Sequence, residues 1–313
     1  NPDYWKKGRP YLDGIEYTII PDRSTRMLSF AAGKFDMTFP SDVTVPLLKN
    51  IKRDAPQALC TMRETGVSTN LIVNREVPPF DNPKIRRAMA LTLDRQAFIT
   101  ILSEGEGKMG GAMLPPPDGV WGLPPDQLKT IIGYGDVAKS RDEARALMKE
   151  AGYGPDNRLK IKVSTRNIPA VILIDQLRHI WIEAELEIID TAIYYNRVFK
   201  KDYVVALNLT GSAVDDPDVT FFEGYACGSL RNYNNYCNPE MTKLFEQQSR
   251  ESDRKKRQAL VWEIDRRLQE DIARPIISHG RAAGCWHPQV KGVTIQINSI
   301  YNGWRFEGAW LDR

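Results

Sequence analysis

Side chains able to do chemistry crowd one stretch of this 313-residue sequence, Tyr203 to Cys237. Asp215, Asp216 and Asp218 stand around Pro217 there. Carboxylates at that spacing suit two jobs, holding a hard cation or accepting backbone N–H groups at a turn. The second is the usual one, because proline fixes φ and aspartate bonds the backbone just ahead of it. The acidic spacing of a helix–loop–helix calcium site is absent. Before the carboxylates come Thr210, Gly211, Ser212 and Ala213, small residues that close the apolar run Tyr203 to Leu209. A strand ending in small residues beside a turn makes a wall that a ligand can approach closely. An ordinary strand exit with a surface loop has the same pattern, so these residues leave both readings open.

Histidine is scarce. His179 falls in a helical stretch and His287 precedes Pro288 in a turn. His279 and Arg281 are two apart in an extended segment, so they share one side of the chain. Together they offer donors to an anionic ligand, or form an ordinary polar pair. No G-x-S-x-G, H-E-x-x-H or P-loop occurs, so an enzyme reading has no constellation behind it. A hydrolase or structural module on the same scaffold stays an alternative because fold does not fix function. Gly105-x-Gly107-x-x-Gly110 spells a dinucleotide fingerprint, but it follows a helix and runs into Pro115-Pro116-Pro117. A working fingerprint follows a strand and opens a helix, so no cofactor is expected.

The cysteines are Cys60, Cys227, Cys237 and Cys285, with neither C-x-x-C nor zinc-site spacing. Cys227 and Cys237 enclose nine residues rich in Asn. A disulfide there would stabilise the fold by roughly 2–3 kcal/mol in an oxidising compartment, and two buried thiols are the alternative. Cys60 and Cys285 are expected to be free.

The elements that must position these residues follow from periodicity and caps. Strands are expected over Ile15–Ile20, Leu159–Thr165, Leu186–Asp190 and Tyr203–Leu209, with an extended path from Leu59 to Asn74 that carries Asn70. Helices are expected over Arg23–Ala32, from Ser41 or Asp42 to Lys52, from Asn82 to Leu102, from the Ser140-x-x-Glu143 capping box to Gly152, and over Ala170–Glu183 and Tyr194–Lys200. Two more start at Asn238-Pro239 and Asp253. Strand–helix–strand alternation implies an α/β fold with parallel pairing and right-handed crossovers. Crossings near Asn74 and Gly280 divide the chain into a first lobe, 1–74 with 281–313, and a continuous second lobe, 75–280, joined by a two-strand hinge.

Composition narrows the class. A hydrophobic fraction of 42% with 27% charged residues suffices for two core-forming lobes. The net charge of +3, with Arg254-Lys255-Lys256-Arg257 on an expected solvated helix face, gives no support to a nucleic-acid partner. No window of about 18 apolar residues suggests a membrane-spanning helix.

Asn1-Pro2-Asp3-Tyr4-Trp5, Pro10-Tyr11-Leu12-Asp13 and Ile19-Ile20-Pro21-Asp22 resemble the middle of the periplasmic solute-binding proteins of ABC importers, peptide/nickel class (family 5). The likeness continues through Gly33-x-x-Asp36, Pro79-Phe80-Asp81-Asn82-x-x-Ile85-Arg86-x-Ala88, Leu93-Asp94-Arg95, Glu150-Ala151-Gly152-Tyr153, Asp216-Pro217-Asp218 and Asn234-x-Tyr236-Cys237. The resemblance implies a two-lobed binding-protein fold (type II, cluster C) that traps a small-molecule or peptide solute and delivers it to an inner-membrane ABC permease, without catalysis. It implies periplasmic location, a bridged Cys227–Cys237 pair, and a longer whole protein. This chain would then be a C-terminal portion lacking the front of lobe one, a small extra domain and any signal peptide. Peptide binders of the family place Trp, then Asp three residues on, at the end of the strand before Asp216. Thr210 and Ala213 occupy those positions here, so the anchor for a peptide α-amine is missing unless Asp215 replaces it. Losing such a charge-assisted pair costs about 1.5–3 kcal/mol. The expected ligand is therefore a small polar solute, with Asn70, Thr210, Gly211, Ser212, Ala213, Asp215, His279 and Arg281 as candidate contacts. A receptor that grips peptide backbone by strand addition is the alternative.

Overall fold

Aspartate and asparagine caps start most helices of the computed structural model, which describes residues 3–166 and 170–312. Asn1 and Pro2 of the opening motif lie outside the described residues. Asp22 accepts the Thr25 N–H and opens α1, Arg23–Ala31; α2, Val45–Asp54, carries Pro46 in its first turn. Asp42 does not cap α2 as expected, because both its oxygens take the Arg26 guanidinium, at 2.7 and 2.9 Å. The extended path is one long strand, β1, Leu59–Val73. The single helix expected from Asn82 is two. Asn82 caps α3, Pro83–Leu91, and Asp94 recaps α4, Arg95–Ser103. After the short α5, Pro125–Leu128, α6 spans Val137–Glu150 and starts at Asp136, a turn before the predicted capping box. Glu143 of that box instead pairs with Arg87 at 3.0 Å.

Alternation then follows the expected order: β2 Leu159–Thr165, α7 Ala170–Arg178, β3 Ile182–Ile188, α8 Thr191–Phe199, β4 Val205–Gly211. Asp215–Asp218 is more than a turn. Asp216 caps an additional helix, α9, Pro217–Tyr225. Helices α10, Pro239–Arg250, and α11, Arg254–Glu270, start at Asn238 and Asp253 as expected, and β5, Ile276–Trp286, follows. The tail holds β6, Val290–Lys291, a short 3₁₀ stretch, Ile300–Trp304, and β7, Trp310–Leu311. Ile15–Ile20 forms no strand; Ile15, Tyr17 and Ile19 are exposed there, with no ladder partner among the described residues.

The main sheet has the order β3-β2-β4-β1-β5. Strands β3, β2 and β4 are parallel, with Leu159 opposite Ile182 and Val163 opposite Val205. Asn74 N–H donates to Val204 O and Ser212 N–H to Gly66 O, so β1 runs antiparallel to β4. The chain forms two compact units. One is 1–67 with 211–214 and 280–313; the other is 68–210 with 215–279. The first crossing thus lies at Val67–Ser68, seven residues before Asn74, and a four-residue piece, 211–214, joins the first unit.

In the second unit, Leu71, Val163, Val205 and Leu207 of the sheet pack against Ile85 and Met89 of α3 and Leu173 and Leu177 of α7. Each such side chain contributes about 1.5–3 kcal/mol when fully buried. A separate cluster joins α9, α10 and α11, where Phe221 stacks on Phe245 at 5.3 Å. Arg257 of the basic run is not a solvated charge; it reaches Asp216 at 3.0 Å and lies over Trp121. In the first unit, Met27, Phe30 and Ile51 of α1 and α2 surround Val43, Ala283 and Cys285. Cys60 and Cys285 are not free thiols but a disulfide, Cα atoms 4.1 Å apart. β1 and β5 are sheet neighbours, which brings together residues 225 apart in sequence.

Candidate functional site

Ligands of open α/β sheets bind beyond the carboxyl ends of the parallel strands, where backbone groups are left unpaired. In the second unit those ends are Ile188 on β3, Thr165 on β2 and Thr210, one residue before the end of β4. Thr210 is the most elaborate. Its Oγ1 lies 3.0 Å from Asn70 Nδ2, 3.3 Å from Asn208 Nδ2 and 3.4 Å from Arg274 Nη1. Asn70 and Asn208 are buried, and Thr210 itself is half-buried. Asn70 is held donor-first toward Thr210 because its Nδ2 also reaches the Ser68 carbonyl at 3.2 Å. Of the predicted residues, the structure therefore joins Asn70 and Thr210 directly.

Asn208 and Arg274 were not foreseen. Asn208 sits two positions before Thr210, on the same face of the strand by the period of two, which is a usable signal. Arg274 gave none. It is 2% exposed and binds the Gly224 and Arg231 carbonyls at 2.9 and 2.8 Å. Its guanidinium lies over Tyr225 and Tyr233, 5.1 and 5.5 Å from the ring centres. Arg166, just past the end of β2, lies 4.6 Å over Tyr195. Lys201 binds the Asn232 carbonyl, and burial followed by repulsion from Arg274 pushes its ammonium pKa down. Cations thus collect around Tyr194, Tyr203 and Tyr233, whose hydroxyls are pushed up chiefly by burial.

The remaining predicted residues divide between the units. Gly211, Ser212 and Ala213 belong to the first. Ser212 O lies 2.9 Å from where a Cβ on Gly66 would sit, and Gly66 has φ +65°, so glycine is required there. Ser212 O accepts from Ile300 N–H, and Ala213 O from Ser299 Oγ at 2.8 Å. Arg281, in the same unit, pairs with Glu64 at 3.0 Å. His279 and Asp215 belong to the second. Asp215 Oδ2 accepts the Val120 N–H at 3.1 Å and its carbonyl takes the Trp121 indole N–H. His279 is buried, and its Nε2 donates to Gly111 O at 2.9 Å. Burial pushes its pKa down to about 4, so it stays neutral near pH 7. On the other side of the same loop, Asp265 accepts from Ala112 N–H at 2.7 Å, and burial pushes its carboxyl up to about 6. His279 and Arg281 are thus each engaged locally, one by a loop carbonyl and the other by a carboxylate.

Cys227 and Cys237 are bridged, Cα atoms 4.6 Å apart. Asn232, inside that loop, donates to Ala226 O at 3.1 Å and accepts from Tyr236 N–H. The first unit also holds a cavity of about 400 Å³, lined by Tyr17, Phe30, Phe39 and Phe306 and containing none of the predicted residues. No cluster of three or more metal-ligating side chains occurs among the described residues.

Comparison with known proteins fits this arrangement. The fold is that of extracellular binding proteins. The chain matches the solved structure of the ABC transporter-associated periplasmic binding protein DppA from Helicobacter pylori, bound to peptide STSA, with a TM-score of 0.82 and 24% identity over 100% of this chain and 59% of that one. The agropinic acid-binding protein AgaA from A. tumefaciens also aligns with a TM-score of 0.82, at 21% identity over 99% of this chain and 63% of that one. Residues 1–232 match the family described as bacterial extracellular solute-binding proteins, family 5 Middle, and the chain belongs to that family. The oligopeptide-binding protein OppA of Bacillus subtilis is 27% identical over 83% of this chain and 48% of its own length. Di/tripeptide-binding protein 2 of Pseudomonas aeruginosa is 23% identical over 87% of this chain and 51% of its own. The chain therefore spans about half the length of the curated relatives it matches.

Proposed function

We propose that this chain acts in an extracytoplasmic, periplasmic receptor that binds a small polar, anionic solute and delivers it to an ABC import permease without transforming it. Membership of the solute-binding family carries the receptor reading. The cluster at Thr210 carries the choice of solute. Where a peptide receptor would present Trp and Asp, this chain presents Thr210 and Ala213, and the nearby charges in the second unit, Arg166, Lys201 and Arg274, are positive. Asn70 and Thr210 would be ligand-side residues of that unit. Asp215 and His279, also in the second unit, would support the segments around them.

Chain purified without denaturation and then extracted should release a stoichiometric small anion detectable by mass spectrometry. Tight binding of unmodified dipeptides in a calorimetric panel would remove this version. A peptide receptor that grips backbone is the second reading, favoured by relatives named for oligopeptides and di/tripeptides. It predicts a mixture of peptides in the same extract. A hydrolase would need a free acid–base group. His279, the strongest candidate, is buried and engaged with Gly111 O.

A further inference from the structure

A hydroxyl oxygen has two lone pairs and one hydrogen. Around Thr210 Oγ1 three N–H donors converge, from Asn70, Asn208 and Arg274. None of the three can accept a hydrogen bond there. Arg274 has no acceptor in its guanidinium. The Nδ2 of Asn70 is fixed as a donor by the Ser68 carbonyl, and Asn208 Oδ1 faces the Tyr194 hydroxyl at 3.4 Å. The lone pairs of Thr210 are thus filled from behind. Its own O–H finds no acceptor in these three groups, on a residue that is half-buried.

Arg274 adds the second observation. A buried charge is normally paired with an opposite one. Arg274 is 2% exposed, has only carbonyl, hydroxyl and ring partners, pairs with no carboxylate among the described residues, and leaves its Nε without an acceptor. Lys201 adds to the positive field rather than cancelling it.

We infer that Thr210 is an anion-reading donor: its hydroxyl, backed by the uncompensated Arg274 cation, receives a carboxylate oxygen of the solute. This rests on the solute-receptor reading and names the group that the solute must carry. Arg274 is the positioning and field-setting residue, acting through Thr210. A neutral amide oxygen is a weaker partner at the same point, because a hydrogen bond to an ionised acceptor is roughly twice as strong. Valine keeps the shape of threonine but removes the acceptor of these N–H donors together with the hydroxyl proton.

The test uses acetate as the anionic probe and acetamide as its neutral isostere. Chain labelled with ¹⁵N is titrated with each, and the Arg274 Nε–H and Thr210 amide resonances are followed. Acetate should shift both saturably, and acetamide should bind at least tenfold more weakly. Thr210→Val should weaken acetate at least tenfold, whereas Thr210→Ser, which keeps the hydroxyl, should stay within about threefold of wild type. Equal response to both probes, no response to acetate, or full acetate affinity in Thr210→Val would each overturn the inference. Because serine and valine are both minor changes of volume, an unfolded Thr210→Val with a folded Thr210→Ser is checked by Arg274→Gln, whose acetate affinity should also fall at least tenfold. Solute retained through purification by a protein that fails the acetate test leaves the receptor reading intact and removes only this inference.

Discussion

Single side chains explain how His279 is held. His279 sits at the start of β5 with its ring against Gly110, whose added Cβ would lie 2.7 Å from the ring, and its Nε2 on Gly111 O. Asp265 holds the next residues of the same loop, Ala112 and Met113. The two groups respond oppositely to acid. The unfolded chain binds the His279 proton more tightly than the folded one, so its contribution to stability falls as pH drops from about 6.5 to about 4. Folded Asp265 binds its proton more tightly than the unfolded chain, so its contribution rises as pH drops from about 6 to 3.8. Each amounts to about 3 kcal/mol at about 1.4 kcal/mol per pH unit, and they nearly cancel. Relative to wild type, Asp265→Asn should lose stability on acidification from pH 6.5 to 4, and His279→Gln should gain it. Urea unfolding at pH 4, 5 and 6.5 reads both. Parallel pH profiles in all three proteins would show that the loop is not held by these groups.

Elements are fixed by covalent and steric constraints at their ends. The Cys60–Cys285 bridge closes a loop with a sequence separation of 225, against 10 for Cys227–Cys237. Chain-entropy reasoning assigns about 5 kcal/mol to the long loop and about 3 kcal/mol to the short one. Cys60→Ser with Cys285→Ser should therefore lower the guanidinium midpoint more than Cys227→Ser with Cys237→Ser does. A larger loss from the second pair would contradict that ranking. Gly110, the last glycine of the nucleotide-like fingerprint, and its neighbour Gly111 are tightly packed against β5 and α11. A Cβ on Gly111 would sit 2.3 Å from Asp265 Oδ1. Gly111→Ala should destabilise by about 1–3 kcal/mol, the usual cost of forcing volume into a packed site, and calorimetry of the variant checks it.

The two units of the whole molecule carry cores of different size. The second has the sheet core around Leu71, Val163 and Val205 and the α9–α11 cluster around Phe221 and Phe245. The first has one smaller cluster around Met27, Phe30 and Ile51, and it exposes Trp5 (74%), Ile19 (89%) and Trp304 (57%). Opening free energy follows buried contacts. Amides of Val205–Leu209 should therefore exchange with deuterium more slowly than those of α1 and α2, and reducing the disulfides should speed exchange in α1 and α2 more than in β2. Uniform protection across both units would refute this. Elements were legible where local signals started or ended them: the caps Asn238 and Asp253 and the β2–α7–β3 alternation could all be read in the sequence. The units divide at Val67–Ser68, inside β1, where no proline or other break marks the point in the sequence.

Sequence by itself determined what acts over a few residues: the caps, the strand–helix alternation, the small residues closing β4, and the family motifs spaced along the chain. Tertiary structure alone decided what meets across the sheet. Asn70 and Thr210 are 140 residues apart, and Arg274 lies 64 residues beyond Thr210, yet one hydroxyl gathers all three. Cys60 finds Cys285 for the same reason. Periodicity reports which face a side chain takes, but the neighbouring strand that supplies its partner is chosen by sheet order, and sheet order is a property of the packed core.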